Sequence, residues 1–342
     1  FRTAQPVIDA LKARAEEGIW GYTARPASYF EAVKNWQKRR NGWDTDTALM
    51  SFSPGVVQTL SVMIRLYTPQ NGNVLIQTPV YGEFYDMTEL AGRHVIENQL
   101  VEQGGAWTVD WADFEEKLRS ADIFLLCNPH NPLGIVWTEE ELHRMMELCL
   151  KHHVLVVSDE IHSDLIFHGK KHTRTATISK EIHDYVVTCV SVTKTFNLAG
   201  LVGSYHVIFN KYLRERMDKV ASLSHYNSIN VMSMHALVGA YSETGREWVD
   251  ELLEVLSSNV NYAYICKNFK GVKLAKPEGT YMLYLDCEEW CKEHNMSMDD
   301  LLKAGVAVGV IWQDGRPFNR PFAIRVNLAV PHSRVIDAMD RL

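Results

Sequence analysis

Lys194 sits in the segment Ser191-Val-Thr-Lys-Thr-Phe-Asn197, directly after the apolar run 185–190, and Asp159 closes an earlier apolar run that starts at Val154. An amine and a carboxylate at the ends of two buried strands suit a definite chemistry. The amine can condense with an aldehyde, and the carboxylate can keep a heterocyclic nitrogen protonated. A pyridoxal 5'-phosphate (PLP) enzyme needs both, so the pair predicts PLP as the cofactor, with Lys194 and Asp159 as the catalytic groups.

Four further segments could complete such a site. The stretch Ser51-Phe-Ser-Pro-Gly55 leads into a helix predicted to about Leu66, and the free amides of Gly55, Val56 and Val57 at its start would attract an anion. An ordinary helix start after Pro54 is the plainer alternative. Gln77-Thr-Pro-Val-Tyr81 brings Tyr81 to the carboxyl edge of a sheet, where open α/β sheets bind ligands, and its ring could stack on a pyridine. A core or surface tyrosine is the alternative there. In Cys127-Asn-Pro-His-Asn131-Pro the two Asn-Pro steps impose an extended turn, and the Asn131 amide could donate to a phenolate oxygen, against a purely structural turn. Arg325, in the segment 322–331, is a charge inside an otherwise apolar strand; its planar guanidinium suits bidentate capture of a carboxylate, with an internal salt bridge as the alternative.

Other chemistries lack their motifs. Ser158-Asp-Glu-Ile-His162 resembles an acidic ATPase motif, but the only Gly-Lys step, Gly169-Lys170, has no phosphate loop around it. Neither GxGxxG nor GxSxG occurs, which removes the dinucleotide-binding and serine-hydrolase readings. His152, His153, His162 and His168, or Cys287, Cys291 and His294, lack the paired spacing of a zinc site, so no metal is expected.

The elements that must position these groups follow from the apolar pattern. Compact apolar runs at 74–77, 94–96, 123–127, 154–158, 186–192 and 205–209, separated by helical stretches, predict an α/β fold with a mostly parallel, helix-covered sheet. Helical spacing at 7–17 and 28–40 ends at Gly18 and at Asn41-Gly42. After a helix at 246–269, strands at 280–285 and 323–327 with a polar helix at 287–304 predict a second, smaller α+β domain. The expected division is a large domain at 46–245 and a small discontinuous one from 1–45 and 246–342.

The 342 residues, 46% of them hydrophobic, are enough for about two domains. A net charge of -7 without a basic block argues against nucleic acid or an anionic membrane as partner. Six scattered cysteines read as reduced thiols. With no apolar run of about 18 residues and no signal-peptide pattern at the start, a soluble cytoplasmic protein is expected.

Taken in order, these motifs resemble the fold-type I PLP enzymes of the class I/II aminotransferase superfamily over nearly the whole chain. The likeness is greatest to the MalY/PatB group of C-S lyases (cystathionine β-lyases), through Gly18-Ile-Trp-Gly-Tyr22, Ser53-Pro-Gly-Val-Val57, Ser158-Asp-Glu-Ile-His162 and Lys194-Thr-Phe-Asn-Leu-Ala-Gly-Leu201. The resemblance implies a seven-stranded sheet, Lys194 as the lysine that binds the aldehyde, Asp159 on the pyridine nitrogen and Asn131 on the 3'-oxygen. It implies Tyr81 stacked on the ring, Ile161 and His162 on the other side, phosphate contacts from the 55–57 amides and Ser191, and Arg325 on the carboxylate of an amino-acid substrate. It also implies a homodimer with shared active sites, in which Tyr22 reaches the partner's phosphate. Many aminotransferases of this fold carry a phosphate-binding arginine eight positions after the lysine; this chain has Val202 there, a departure that the lyase branch shares.

The expected reaction is β-elimination, cleaving cystathionine or related S-substituted cysteines to thiol, pyruvate and ammonia. An aminotransferase built on the same residues is the alternative, and a PLP-binding regulatory protein with little turnover is a third reading.

Overall fold

The computed structural model describes residues 1–342 except 25, 168, 225–226 and 267–269, so His168 lies outside the described residues. Two helices open the chain, α1 (Gln5–Glu17) and α2 (Ala27–Asn41), and each stops at a glycine with positive φ, Gly18 at 67° and Gly42 at 66°. A side chain in that left-handed conformation costs roughly 1–2 kcal/mol and glycine almost nothing, which fixes both ends. Next come β1 (Met50–Ser53), α3 (Val56–Tyr67), β2 (Asn73–Thr78), α4 (Glu83–Leu90), β3 (His94–Gln99) and a hairpin of β4 (Val101–Gln103) with β5 (Ala106–Thr108). They are followed by α5 (Trp111–Leu118), β6 (Ile123–Cys127), α6 (Glu139–Lys151), β7 (Leu155–Asp159), β8 (Val186–Val190) and β9 (Ser204–Ile208). Helices α7 (Lys211–Leu223), α8 (Val231–Ala240) and α9 (Glu243–Cys266) precede β10 (Lys273–Leu274), β11 (Met282–Asp286), α10 (Glu288–Glu293), α11 (Met298–Ala307), β12 (Gln313–Asp314), β13 (Ala323–Asn327) and α12 (His332–Arg341).

Seven strands form one sheet in the order β1-β9-β8-β7-β6-β2-β3. From β8 to β3 all neighbours are parallel, and β9 runs against both β8 and β1. Successive residues of each central strand enter different cores: Phe124, Val156 and Val186 face the side covered by α1, α2, α6 and α8, whereas Leu125, Val157 and Val187 face α3, α4 and α7. Each such side chain, fully buried, contributes about 1.5–3 kcal/mol, so register is strongly specified. The parallel arrangement brings the carboxyl ends of β2, β6, β7 and β8 to one edge, where Thr78, Cys127, Asp159 and Val190 end their strands.

The C-terminal part has its own antiparallel sheet, β10-β11-β13-β12, and its own core against α9–α12. The single polar helix expected at 287–304 is two helices here. Asn295 turns left-handed (φ 51°), and Ser297 with Asp300 forms a reciprocal cap, each side chain bonding the other's backbone N–H, that starts α11 afresh. Among the described residues no helix is long and apolar enough to cross a membrane.

Candidate active site

The turn after β8 is folded by its own hydrogen bonds. Ser191 Oγ donates to Gly203 O (2.7 Å) and accepts from Thr193 N (3.1 Å), while Phe196 N and Leu198 N donate back to Val192 O and Thr193 O. This turn presents Lys194 at the carboxyl edge of the sheet. One strand away, Asp159 lies in register between Cys127 and Cys189, and its Oδ1 accepts from Ile161 N at 3.1 Å. Thiols solvate a carboxylate poorly. Burial accordingly pushes Asp159 up to about 7, with Glu160 adding to the rise, although the Ile161 amide and the charge of Lys194 pull the other way. A carboxyl so poised ionises fully once a further cation is set against it.

Lys194 and Asp159 line one cavity of about 250 Å3. There Gly55 caps α3 without a side-chain bond, so among the described residues the amides of Val56 and Val57 are unclaimed, and a Cβ built on Gly55 would meet none of those residues within 4 Å. That is room and charge for an anion. Tyr81, Asn131, Ile161, His162, Ser191 and Arg325 also line the cavity.

Polar atoms there are partly spoken for. The Arg325 guanidinium lies 4.7 Å over the Phe318 ring, bonds Asn131 Oδ1 (2.9 Å) through Nη1 and Gln313 Oε1 through Nη2, and among the described residues pairs with no carboxylate. The internal salt bridge considered from sequence is therefore absent among the described residues. Tyr81 N donates to Asn131 O (3.1 Å), tying the turns after β2 and β6 together. His162 is 2% exposed, its Nδ1 has no partner among the described residues, and its ring meets Tyr281 edge-on at 5.5 Å. Burial, reinforced by the charges of Lys194 and Arg325, pushes this imidazole down to about 3, so it is neutral at working pH.

Behind Asp159, Glu160 accepts from Arg174 Nη1 (2.7 Å), Thr175 N (3.0 Å) and Ser158 Oγ (3.0 Å) and bonds His172 Nε2 (2.9 Å). Burial opposes its ionisation, but Arg174 and His172 outweigh burial and hold Glu160 at about 2.

The structure does not bring Tyr22 to this cavity; it is fully exposed in the loop between α1 and α2. Conversely, Thr193, Val202, Cys127 and Tyr281 line the cavity without having been singled out as site residues. Tyr281 had one visible signal, its place at the start of a predicted strand after Gly279. Val202 adopts φ 49°, an outlier for a β-branched residue.

This donor set fits PLP: an amine, a buried carboxyl awaiting a cation, an amide, an aromatic ring, and open helix amides beside a glycine. A sequence profile of the family described as aminotransferase class I and II matches residues 3–342. The chain is 38% identical to cystathionine β-lyase PatB of Bacillus subtilis (strain 168) over 312 residues, 90% of this chain and 80% of that protein. Among solved structures, cystalysin of Treponema denticola, which contains a PLP cofactor, superposes with a TM-score of 0.93 at 30% identity, covering 100% of this chain and 87% of that one. The PLP-bound C-S lyase of Staphylococcus hominis gives 0.91 at 29% identity, covering 100% and 88%.

Proposed function

The chain belongs to the class I and II aminotransferase family, and on that footing we propose that it is a PLP-dependent C-S lyase acting on cystathionine or related S-substituted cysteines. Thiol, pyruvate and ammonia are the products. The convergence of Lys194 and Asp159 on one cavity carries the PLP chemistry, and the 38% identity to cystathionine β-lyase PatB supports the lyase over the aminotransferase.

PLP, when bound, supplies an electron sink for the pair left on the substrate's α-carbon. The chain's residues do the rest. Lys194 would hold the cofactor through its amine and, when free, would take the substrate's α-proton as general base. Asp159 would hold the proton on the ring nitrogen, since opposite unit charges near 4 Å attract by about 4 kcal/mol at an effective dielectric of 20. Asn131 would donate to the 3'-oxygen, Tyr81 would stack on the ring, and Ile161 with His162 would line its other side. The amides of residues 55–57 would take the phosphate, joined by Ser191 once its hydroxyl turns from Gly203 O, and position 202 is a valine that offers no guanidinium to that dianion. Arg325 receives the α-carboxylate and so turns the Cα–H bond toward Lys194.

The large domain in this reading is 46–245 and the small one 1–45 with 246–342. The protein works in the cytoplasm as a homodimer with shared sites. Ile19, Trp20 and Tyr22, all exposed in one loop, support such a contact.

Incubation with cystathionine or an S-alkyl cysteine tests the reaction. Pyruvate and free thiol should appear without any 2-oxo acid; strict dependence on such an acceptor would make the chain an aminotransferase instead.

A further inference from the structure

Asp164 lies five residues beyond Asp159, in the loop that leaves β7, and is 3% exposed. Nothing in the proposed chemistry uses it. Its Oδ1 accepts from Trp36 Nε1 (3.0 Å) and lies 3.7 Å from Arg40 Nε, both on α2, while its Oδ2 accepts from Thr195 Oγ1 (3.1 Å). Thr195 directly follows Lys194 and is 1% exposed. A buried carboxylate thus joins the loop after one proposed catalytic residue to the turn that carries the other.

From this geometry we infer that Asp164 is a positioning residue for Lys194, acting through Thr195 to fix the direction of the 191–198 turn relative to Asp159. The inference rests on the reading of Lys194 and Asp159 given above.

Anchoring α2 does not by itself call for this carboxylate. Tyr29, Phe30, Val33 and Trp36 bury an apolar face of that helix, and Gln37 Nε2 donates to Tyr205 OH at 2.6 Å. Burying an ion costs several kcal/mol before any attraction is counted, so apolar residues in place of the whole Asp164–Arg40 pair would hold α2 about as well. What the carboxylate adds is direction, because it orients a hydroxyl one residue from the reacting amine. The next residue, Phe196, is clamped between Trp36 (5.9 Å) and Trp248 (5.4 Å), so hydrogen bond and ring packing fix consecutive residues of the turn. Arg40 extends the link, bonding Asp250 on α9 at 2.8 Å.

The test compares Thr195→Val, which keeps the shape and removes the hydroxyl, with Thr195→Ser, which restores it. In the PLP-loaded enzyme Thr195→Val should lower kcat about 10- to 100-fold and leave KM within about threefold, the pattern of a misdirected group and not of lost binding. The pH midpoint of the visible absorption band should move by about half a unit or more, since the environment of the lysine nitrogen changes. In the cofactor-free protein, reductive methylation of Lys194, read by peptide mass spectrometry, should change in rate severalfold. Thr195→Ser should return all three readouts toward the parent values, and Asp164→Asn should shift them in the same direction as Thr195→Val. Should Asp164→Asn not fold, Trp36→Phe removes one donor to the same carboxylate and should move the band and the methylation rate more weakly. A Thr195→Val enzyme with lowered thermal stability but unchanged kcat, band midpoint and methylation rate would overturn the inference. The methylation arm reads the turn without cofactor, so it still decides the matter if borohydride fixes PLP on a lysine other than 194, which would fail the functional reading instead.

Discussion

Arg325 Nη1 donates to Asn131 Oδ1 at 2.9 Å, joining the residue proposed for the substrate's carboxylate to the one proposed for the cofactor's 3'-oxygen. With its oxygen engaged, Asn131 has only its NH2 group to turn elsewhere, and that group is a donor. Arg325 therefore sets which way the amide faces, while Phe318 beneath it and Gln313 beside it hold the guanidinium ready for a carboxylate.

Arg325→Lys keeps the charge and loses the planar fork. Losing a bidentate charge-assisted contact is worth about 1.5–3 kcal/mol, so KM for amino-acid substrates should rise roughly 10- to 100-fold in steady-state assays. The visible band of the PLP-loaded protein should shift as well, because Asn131 loses its lock. An unchanged KM would remove Arg325 from the carboxylate site.

Asp159 makes the cofactor-free protein respond to pH in an unusual direction. Its carboxyl is raised on folding from 3.8 to about 7, so the native chain holds the proton more tightly than the unfolded one across that interval. The resulting stability is complete below about pH 3.8 and is lost as pH rises through 7. Cofactor-free Asp159→Asn should therefore melt higher than the parent above pH 7. In the PLP-loaded proteins the order should reverse and kcat should fall steeply, since a neutral amide cannot hold a proton on the ring nitrogen. Because buried His162, lowered from 6.5 to about 3, changes stability in the opposite sense over the same interval, the readout is the difference between parent and Asp159→Asn. A difference in melting temperature that stays constant from pH 4 to 8 would contradict the burial assigned to this group.

Glu160, next in sequence, has the opposite sign. Held at about 2 against an ordinary 4.5, it contributes stability that is present above pH 4.5 and lost as pH falls through 2. Glu160→Gln would leave Arg174, itself 1% exposed, without its counter-charge. Removing one partner of a buried pair costs about 3–5 kcal/mol, which chemical denaturation at pH 7 should register directly. A loss under about 1 kcal/mol would mean that water reaches the network.

Much of this was legible in the chain because burial on both faces writes continuous apolar runs. The ends of β7 and β8 carry Asp159 and Lys194, and the order of the runs placed both at one edge. Gly18 and Gly42 marked helix ends for a local conformational reason. Short strands such as β1 and β12 have too few residues for periodicity to register, and the break between α10 and α11 depends on a cap at Ser297 that a run of polar residues conceals. The neutral state of His162 follows from burial and from the charges of Lys194 and Arg325, the latter more than a hundred residues away, and the Asp164–Trp36 bond spans a similar gap. Contacts of that kind exist only after the chain has folded.

Sharing of sites between subunits can be tested by complementation. Tyr22 is fully exposed in the α1–α2 loop and absent from its own chain's cavity, so its proposed role requires a second copy. Tyr22→Ala and Lys194→Ala should each be nearly inactive as pure proteins, the first through weak hold on the phosphate, the second through loss of the amine. Unfolded together in equal amounts and refolded, about half of the dimers of a two-fold assembly should be mixed, and each mixed dimer pairs an intact Lys194 with an intact Tyr22 at one of its two sites. Activity should then recover to about a quarter of the parent level, because half of the sites in half of the dimers are whole. Recovery that stays at the level of the separate variants would assign Tyr22 to its own subunit or to no site at all, whereas full activity of Tyr22→Ala alone would leave the phosphate to the amides of residues 55–57 and Ser191.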